Sequence, residues 1–249
     1  MLGDIDKVIK NAKKAGVNKI ITAGTDTNTN KFAFSQAEKY NEIECVLGVY
    51  PDEILKYYNE KEIDKVFRYI RDRKDKIAGI GEVGMDFKNI EKKGGEKAKE
   101  KQEKYFRKFV ALSIELDKPI VVHSRQTEKE CIEILEEMKA KKVIMHCFFG
   151  DLELVKRIIK NKWYISIPTC CKRNKHFWDV IKITDIKQLL CETDSPFMHP
   201  NGNKDEEGKF RNNFPENVVV SYKKIAELKG KSLKEVENQI KNNYSELFD

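Results

Sequence analysis

The sequence predicts an α/β fold of the (β/α)8 barrel type with seven strands, one short of a closed barrel. Three observations carry that expectation. Short apolar, β-branched runs alternate with segments of helical period along the whole chain, the pattern of parallel βαβ units. The 249 residues match a barrel of about 250 residues. No linker, low-complexity stretch or internal repeat divides them, so residues 1–249 are expected to form a single domain.

The chain opens on a helix, Met1 to Ala15, with Val8, Ile9, Ala12 and Ala15 on one face and Gly16 to end it. A barrel would open on a strand. The first strand is Asn18 to Gly24, β-branched and stopped by glycine. A helix from Asn28 to Tyr40 follows, then a strand from Ile43 to Val49 closed by Tyr50-Pro51. Next come a helix, Glu62 to Arg73, and a third strand, Ile77 to Met85. Glu96 to Leu116 is a long helix, lysine-rich on one face. The remaining strands are Pro119 to His123, Val143 to Cys147, Trp163 to Ile167 and Lys187 to Glu192. Helices from Thr127 to Lys139, from the Asp151 cap to Asn161, and from Asn174 to Ile183 separate them. A polar loop, His199 to Asn213, leads to two closing helices, Pro215 to Leu228 and Ser232 to Leu247.

The apolar fraction of 40% is enough for a core, and the charged fraction of 36% implies a heavily solvated surface. A net charge of +7 favours acidic partners such as nucleic acid, although a basic surface alone accounts for it equally well. The six cysteines form no C-x-x-C pair and read as reduced and mostly buried. Met1 to Lys14 is charged and helical, unlike a signal peptide, and no apolar run nears the ~20 residues that span a membrane. A soluble cytoplasmic protein with no membrane partner is expected. Composition leaves the oligomeric state open.

Function points to the strand ends. The apolar run Ile186 to Cys191 ends in Glu192-Thr193-Asp194-Ser195-Pro196, and α/β enzymes keep their chemistry at the C-terminal tips of buried strands. Glu82, His123 and His146 stand at or next to the ends of three earlier strands. In a barrel those ends converge on one mouth. Two histidines and two carboxylates there make a site for a divalent ion, Mg, Mn or Zn, that activates water. Asp194 could bind the ion or take the proton from the water. The competing reading is a set of hydrogen-bonded core residues, since a lone histidine or acid at a strand end is more often that.

Four motifs occur in order: Gly81-Glu82-Val83-Gly84-Met85-Asp86-Phe87, Val122-His123-Ser124-Arg125, His146-Cys147-Phe148-Phe149-Gly150 and Glu192-Thr193-Asp194-Ser195-Pro196. Together they resemble the motif set of the TatD family of metal-dependent deoxyribonucleases, a branch of the amidohydrolase-like barrels. Asn243 to Phe248 and Arg211-Asn212 support the likeness, which spans nearly the whole chain. The resemblance implies hydrolysis of DNA phosphodiester bonds, as a 3′-to-5′ exonuclease acting on single strands or 3′ ends, with one or two divalent ions. It implies Glu82 as a carboxylate shared between two ions, His123 and His146 as ligands of one, and Asp194 as ligand of the other and proton acceptor.

The chain departs from that family in one large respect. The family opens with a strand ending in His-x-His, and no His-x-His occurs here. Histidines usual after the third barrel strand are also replaced, by Gly48-Val49-Tyr50-Pro51-Asp52. A seven-strand barrel would leave an unpaired edge for a partner chain to cover, or else a less stable protein. Two other functions stay open: a related barrel hydrolase of amides or small esters, and a catalytically impaired protein that binds DNA.

Candidate substrate contacts are Arg125, on the parity of His123, and Lys172 and Arg173, after the sixth strand. Arg125 could equally pair with a neighbouring acid. Residues 88–108 hold nine Lys/Arg against four Glu, suited to a phosphate backbone or to a solvated helix face. Phe148 and Phe149 could stack on bases, with core packing expected for at least one. His199 and Trp178 are weaker candidates.

Overall fold

A computed structural model describes residues 4–248. Strand and helix alternate as the sequence predicts, with seven strands among the described residues. The chain divides into two compact units. The larger is residues 21–163 with Phe248; the smaller is residues 4–20 and 164–247.

In the larger unit five strands lie in sequence order: β1 (Ile20–Ala23), β2 (Ile43–Leu47), β3 (Gly79–Asp86), β4 (Ile120–Arg125) and β5 (Val143–Met145). The pairs β2–β3, β3–β4 and β4–β5 are parallel. β2, β3 and β5 are buried along nearly their whole length, which is why they read as apolar runs without alternation, whereas β1 is only half-buried and ends on exposed Ala23. α2 (Thr27–Lys39) begins at a capping box on Asp26. Two buried side-chain amides tie helices to strand ends. Asn30 of α2 donates to the Gly48 carbonyl at 2.8 Å and accepts from its N–H at 3.0 Å. Gln102 of α5 (Glu96–Glu115) does the same for the backbone of Asp86, at 3.3 and 2.8 Å.

The helix α3 (Pro51–Tyr57) was not predicted from the sequence; Pro51 sits in its first turn, where a missing N–H costs nothing. The next helix, α4 (Glu60–Arg71), starts two residues before the predicted Glu62, because Asn59 caps it. α4 packs on α5 through Phe67 and Phe109, edge to face with centroids 4.9 Å apart. The lysine-rich face of α5 is largely absorbed by these neighbours. Lys104 and Lys108 pair with Glu60, and Arg107 bonds Glu103 and Glu137, each at 2.9 Å. Just before α5, Lys93 bonds Asp52 at 2.6 Å. The solvated-face reading of residues 88–108 is therefore what these contacts support. α6 (Glu128–Glu137) and α7 (Leu152–Lys160) complete the unit, α7 capped by Asp151 as expected, with the Leu154 N–H at 2.9 Å.

The smaller unit holds the parallel pair β6 (Tyr164–Ile167) and β7 (Leu189–Cys191). The seventh strand is shorter than Lys187 to Glu192, since a 3-10 turn occupies Ile186–Gln188. α1 (Ile5–Lys14), α8 (Lys175–Ile183), α9 (Val219–Lys229) and α10 (Leu233–Phe248) surround them. Residues 1–3 of the predicted first helix lie outside the described residues. The helix expected from Pro215 begins as a 3-10 turn, Pro215–Val218. All six cysteines are free; Cys45, Cys131 and Cys171 are buried and the others half-buried. No helix among the described residues is long and apolar enough to cross a membrane.

Candidate active site

The side chains of Glu82, His123 and His146 come together in the larger unit. β4 and β5 run in register, Val122 beside Met145, so His123 and His146 follow on neighbouring strands. Glu82 was expected near a strand end and instead stands within β3, four residues before Asp86. It reaches the histidines because the β3–β4 register shifts between Ile80 and Val83, an irregularity that re-aims the strand. Its Oε1 lies 3.0 Å from His123 Nδ1 and 3.9 Å from His146 Nε2. All three side chains are 13–15% exposed, low enough for strong interaction and open enough for solvent to reach.

Sequence reasoning missed two members of this cluster. Asp86, the last residue of β3, is almost fully buried, and its Oδ2 lies 3.3 Å from His123 Nε2. The Tyr50 hydroxyl donates to Asp86 Oδ2 at 3.2 Å and stands 3.2 Å from the same imidazole nitrogen. The Tyr50 and His123 rings lie 4.8 Å apart. Asp86 is part of the first motif, but only the register puts its carboxylate beside the histidine. For Tyr50 the available signals were its place after the second strand and its membership of Gly48-Val49-Tyr50-Pro51-Asp52, the segment that stands where the family usually has histidines.

The electrostatics follow from this packing. Burial opposes charge on His123, yet Asp86 and Glu82 outweigh it and hold its pKa above the ordinary range. Burial likewise opposes charge on Glu82, and His146, His123 and Arg125 outweigh it, leaving the carboxyl below its usual range. Burial and the Asp86 and Glu82 charges keep the Tyr50 phenol protonated. Arg125 is the register partner of Asp86 and lies 3.6 Å from its Oδ2, with its side chain 52% exposed. The ion-pair alternative for Arg125 is thus the contact formed, while its exposed guanidinium still faces solvent.

Phe148 is fully buried and Phe149 is 46% exposed, so core packing claims the first only. Trp178 in α8 is half-buried and donates to the Cys171 carbonyl at 2.7 Å. In the smaller unit Asp194 follows β7 in a left-handed conformation, φ 57°, one that aspartate tolerates better than most residues. Its carbonyl accepts the Phe197 N–H at 2.8 Å, and Glu192 accepts the Ser166 hydroxyl. Lys172 and Arg173 lie on an exposed turn after β6 in the same unit.

The model of the TatD related DNase family matches residues 1–249. This chain belongs to that family. It is 35% identical over 244 residues to a protein of Methanocaldococcus jannaschii named as an uncharacterized metal-dependent hydrolase, covering 98% of this chain and 90% of that protein. It is 31% identical over 252 residues to human deoxyribonuclease TATDN3, covering 98% and 89%. The crystal structure of the Escherichia coli TatD homolog YjjV superimposes with a TM-score of 0.87 at 25% identity, over 99% of this chain and 92% of that one. The chain is accordingly a hydrolase of the TatD family, and its fold class is the α/β barrel type predicted, with seven strands among the described residues.

Proposed function

We propose that this TatD-family chain cleaves phosphodiester bonds of DNA, shortening single strands from the 3′ end, by attack of water on phosphorus. The observation that carries the reading is the approach of two imidazole nitrogens to one carboxylate oxygen, Glu82 Oε1. The names of two relatives support it: the archaeal one is called a metal-dependent hydrolase and the human one a deoxyribonuclease.

The donor set suits a divalent ion: two imidazole nitrogens and a carboxylate are ligands that Zn and Mn accept readily, and Mg through its oxygen. Among the described residues no group of three already forms a ligand cage. Glu82 Oε1 and His123 Nδ1 instead lie at hydrogen-bond distance, 3.0 Å, and a bound ion would compete for that contact. Glu82, His123 and His146 would hold it. When bound, such an ion lowers the pKa of water toward 7 and polarises a phosphoryl oxygen. Asp86 and Tyr50 engage His123 at Nε2 and so leave Nδ1 as the nitrogen that faces Glu82. Asp194 is assigned the proton of the attacking water on the strength of its motif. Arg125 is assigned a phosphate oxygen.

The test is cleavage of a 5′-labelled single-stranded oligonucleotide with Mg or Mn, together with metal content, for wild type, Glu82→Gln and Asp194→Asn. A ladder that shortens from the 3′ end, lost by at least a hundredfold in both variants, supports the proposal. Absence of cleavage at any metal concentration in the folded protein overturns it. Hydrolysis of amides or small esters alone favours the related barrel hydrolase.

A further inference from the structure

Beyond Asp194 the smaller unit displays two aromatic rings beside three cations. Lys204 and Phe210 form an antiparallel bridge. The turn between them closes through Asp205 N–H to the Lys209 carbonyl at 3.0 Å and Gly208 N–H to the Asp205 carbonyl at 3.1 Å. This small hairpin presents the Phe210 ring 6.2 Å from that of Phe197, edge to face. The two residues are 53% and 56% exposed, although an apolar ring normally finds cover.

The cations crowd the same loop. Lys172 donates to Asn201 Oδ1 at 2.6 Å, Arg173 to the Pro200 carbonyl at 3.0 Å and Arg211 to the Asn201 carbonyl at 3.3 Å. Each of these acceptors is neutral, so among the described residues none of the three charges is met by a carboxylate. The acids of the hairpin are engaged locally: Asp205 accepts the Glu207 and Lys209 N–H groups, and Glu207 pairs with the Lys209 ammonium. His199 reports the field. Burial and then Arg211, Lys172 and Arg173 hold its pKa below the ordinary value. The base of the loop is pinned by buried Asn213, which donates to the Thr193 and Met198 carbonyls at 2.6 and 3.2 Å.

We infer that this loop is a docking surface for single-stranded nucleic acid, with Phe197 and Phe210 stacking on bases and Lys172, Arg173 and Arg211 holding the adjacent phosphates. Unpaired bases are the chemistry that matches: a duplex hides its base faces, whereas a single strand offers them to aromatic platforms flanked by positive charge. The choice of nucleic acid as ligand rests on the phosphodiester reading above; the stacking surface rests on the geometry of the loop.

The experiment is fluorescence anisotropy of the full chain with a labelled twelve-nucleotide oligo-dT and with a twelve-base-pair duplex, in EDTA to prevent cleavage. F197A/F210A is expected to weaken oligo-dT binding at least about tenfold with an unchanged salt slope, and F197Y/F210Y to restore it. K172A/R211A is expected to reduce the slope of log affinity against log salt by about 1.4, the value for two phosphate contacts on a single strand. Equal affinity of wild type and F197A/F210A for oligo-dT would overturn the docking surface while leaving 3′ cleavage, and hence the nuclease reading, intact. Wild-type protein that binds neither DNA and cuts neither would overturn both.

Discussion

His123 Nδ1 lies 3.0 Å from Glu82 Oε1, while the other nitrogen of the same ring lies 3.3 Å from Asp86 Oδ2. An imidazole held between two largely buried carboxylates is favoured as the cation. The opposite shifts of His123 and Glu82 have a consequence for stability that metal-free protein should reveal. Glu82, with its pKa lowered, stabilises the fold fully above its unfolded value of about 4.3 and loses that contribution as pH falls through the folded value. His123, with its pKa raised, contributes fully below its unfolded value of about 6.5 and loses it as pH rises through the folded value. The pair is thus strongest between about pH 4.3 and 6.5. In EDTA, Glu82→Gln should cost about 1.5–3 kcal/mol in that window and progressively less above it. Thermal or urea unfolding of both proteins from pH 4 to 9 measures the gap. A gap that widens toward pH 9 would contradict the assignment.

Asp86 should matter to the ion without touching it. A carboxylate behind a histidine ligand fixes its tautomer and orientation, and its loss typically weakens metal binding 10- to 100-fold. Asp86→Asn preserves shape but removes the charge opposite His123 Nε2. Chelator competition with Mn should report a loss in that range, with a proportionate rise in the Mn concentration needed for activity. Unchanged metal affinity would reduce Asp86 to a structural partner of Tyr50 and Lys88, whose N–H it accepts at 2.8 Å.

The alternation of strands and helices was legible because most strands are short β-branched or apolar runs with few exposed residues and most helices keep an apolar stripe. The side-chain cluster was only half legible. His123 and His146 could be read from apolar runs that end in histidine. Asp86 could not be assigned a role, since the register that sets it opposite Arg125 depends on an irregularity between Ile80 and Val83 that no residue period encodes. Tyr50 reaches the cluster because its backbone N–H bonds the Thr25 carbonyl at 2.9 Å and Pro51 then starts α3, a tertiary arrangement invisible to propensity. The basic stretch 88–108 fitted a solvated helix face or a phosphate backbone, and its counter-charges Glu60 and Asp52, which favour the solvated face, could not be read because they lie far away in sequence on α4 and α3.

Gly84 is the position where a methyl group should do most harm near the site. Its φ is 144°, and an added Cβ would come 1.9 Å from the His123 carbonyl oxygen. Backbone strain and a backbone clash act together, so neither a rotamer change nor a small side-chain shift relieves Gly84→Ala. The expected cost is on the order of 3 kcal/mol or more, with loss of activity even where folded protein is recovered, because relief requires β4 to move with His123. Urea unfolding and Mn-dependent cleavage of the purified variant check both parts. Near-wild-type stability would mean the β3–β4 spacing is looser than the geometry describes.

Asn213 offers the complementary case in the smaller unit. It is fully buried, and its amide nitrogen shares two hydrogens among Thr169 Oγ1 and the Thr193 and Met198 carbonyls, at 3.0, 2.6 and 3.2 Å. Its oxygen accepts from Phe214 N–H and the Asn217 amide. Asn213→Ala strands buried carbonyls that water reaches poorly, and each unsatisfied group costs about 1–3 kcal/mol. A loss of roughly 2–4 kcal/mol is expected, somewhat below the full sum because the loop can relax toward solvent. The loop should also become the first site of proteolysis, cut between residues 199 and 212, since Asn213 joins the segment after Asp194 to the turn before α8. Limited proteolysis followed by mass spectrometry locates the cut. Cleavage elsewhere, with the loop intact, would show that the hairpin and its aromatic pair hold themselves in place without this anchor.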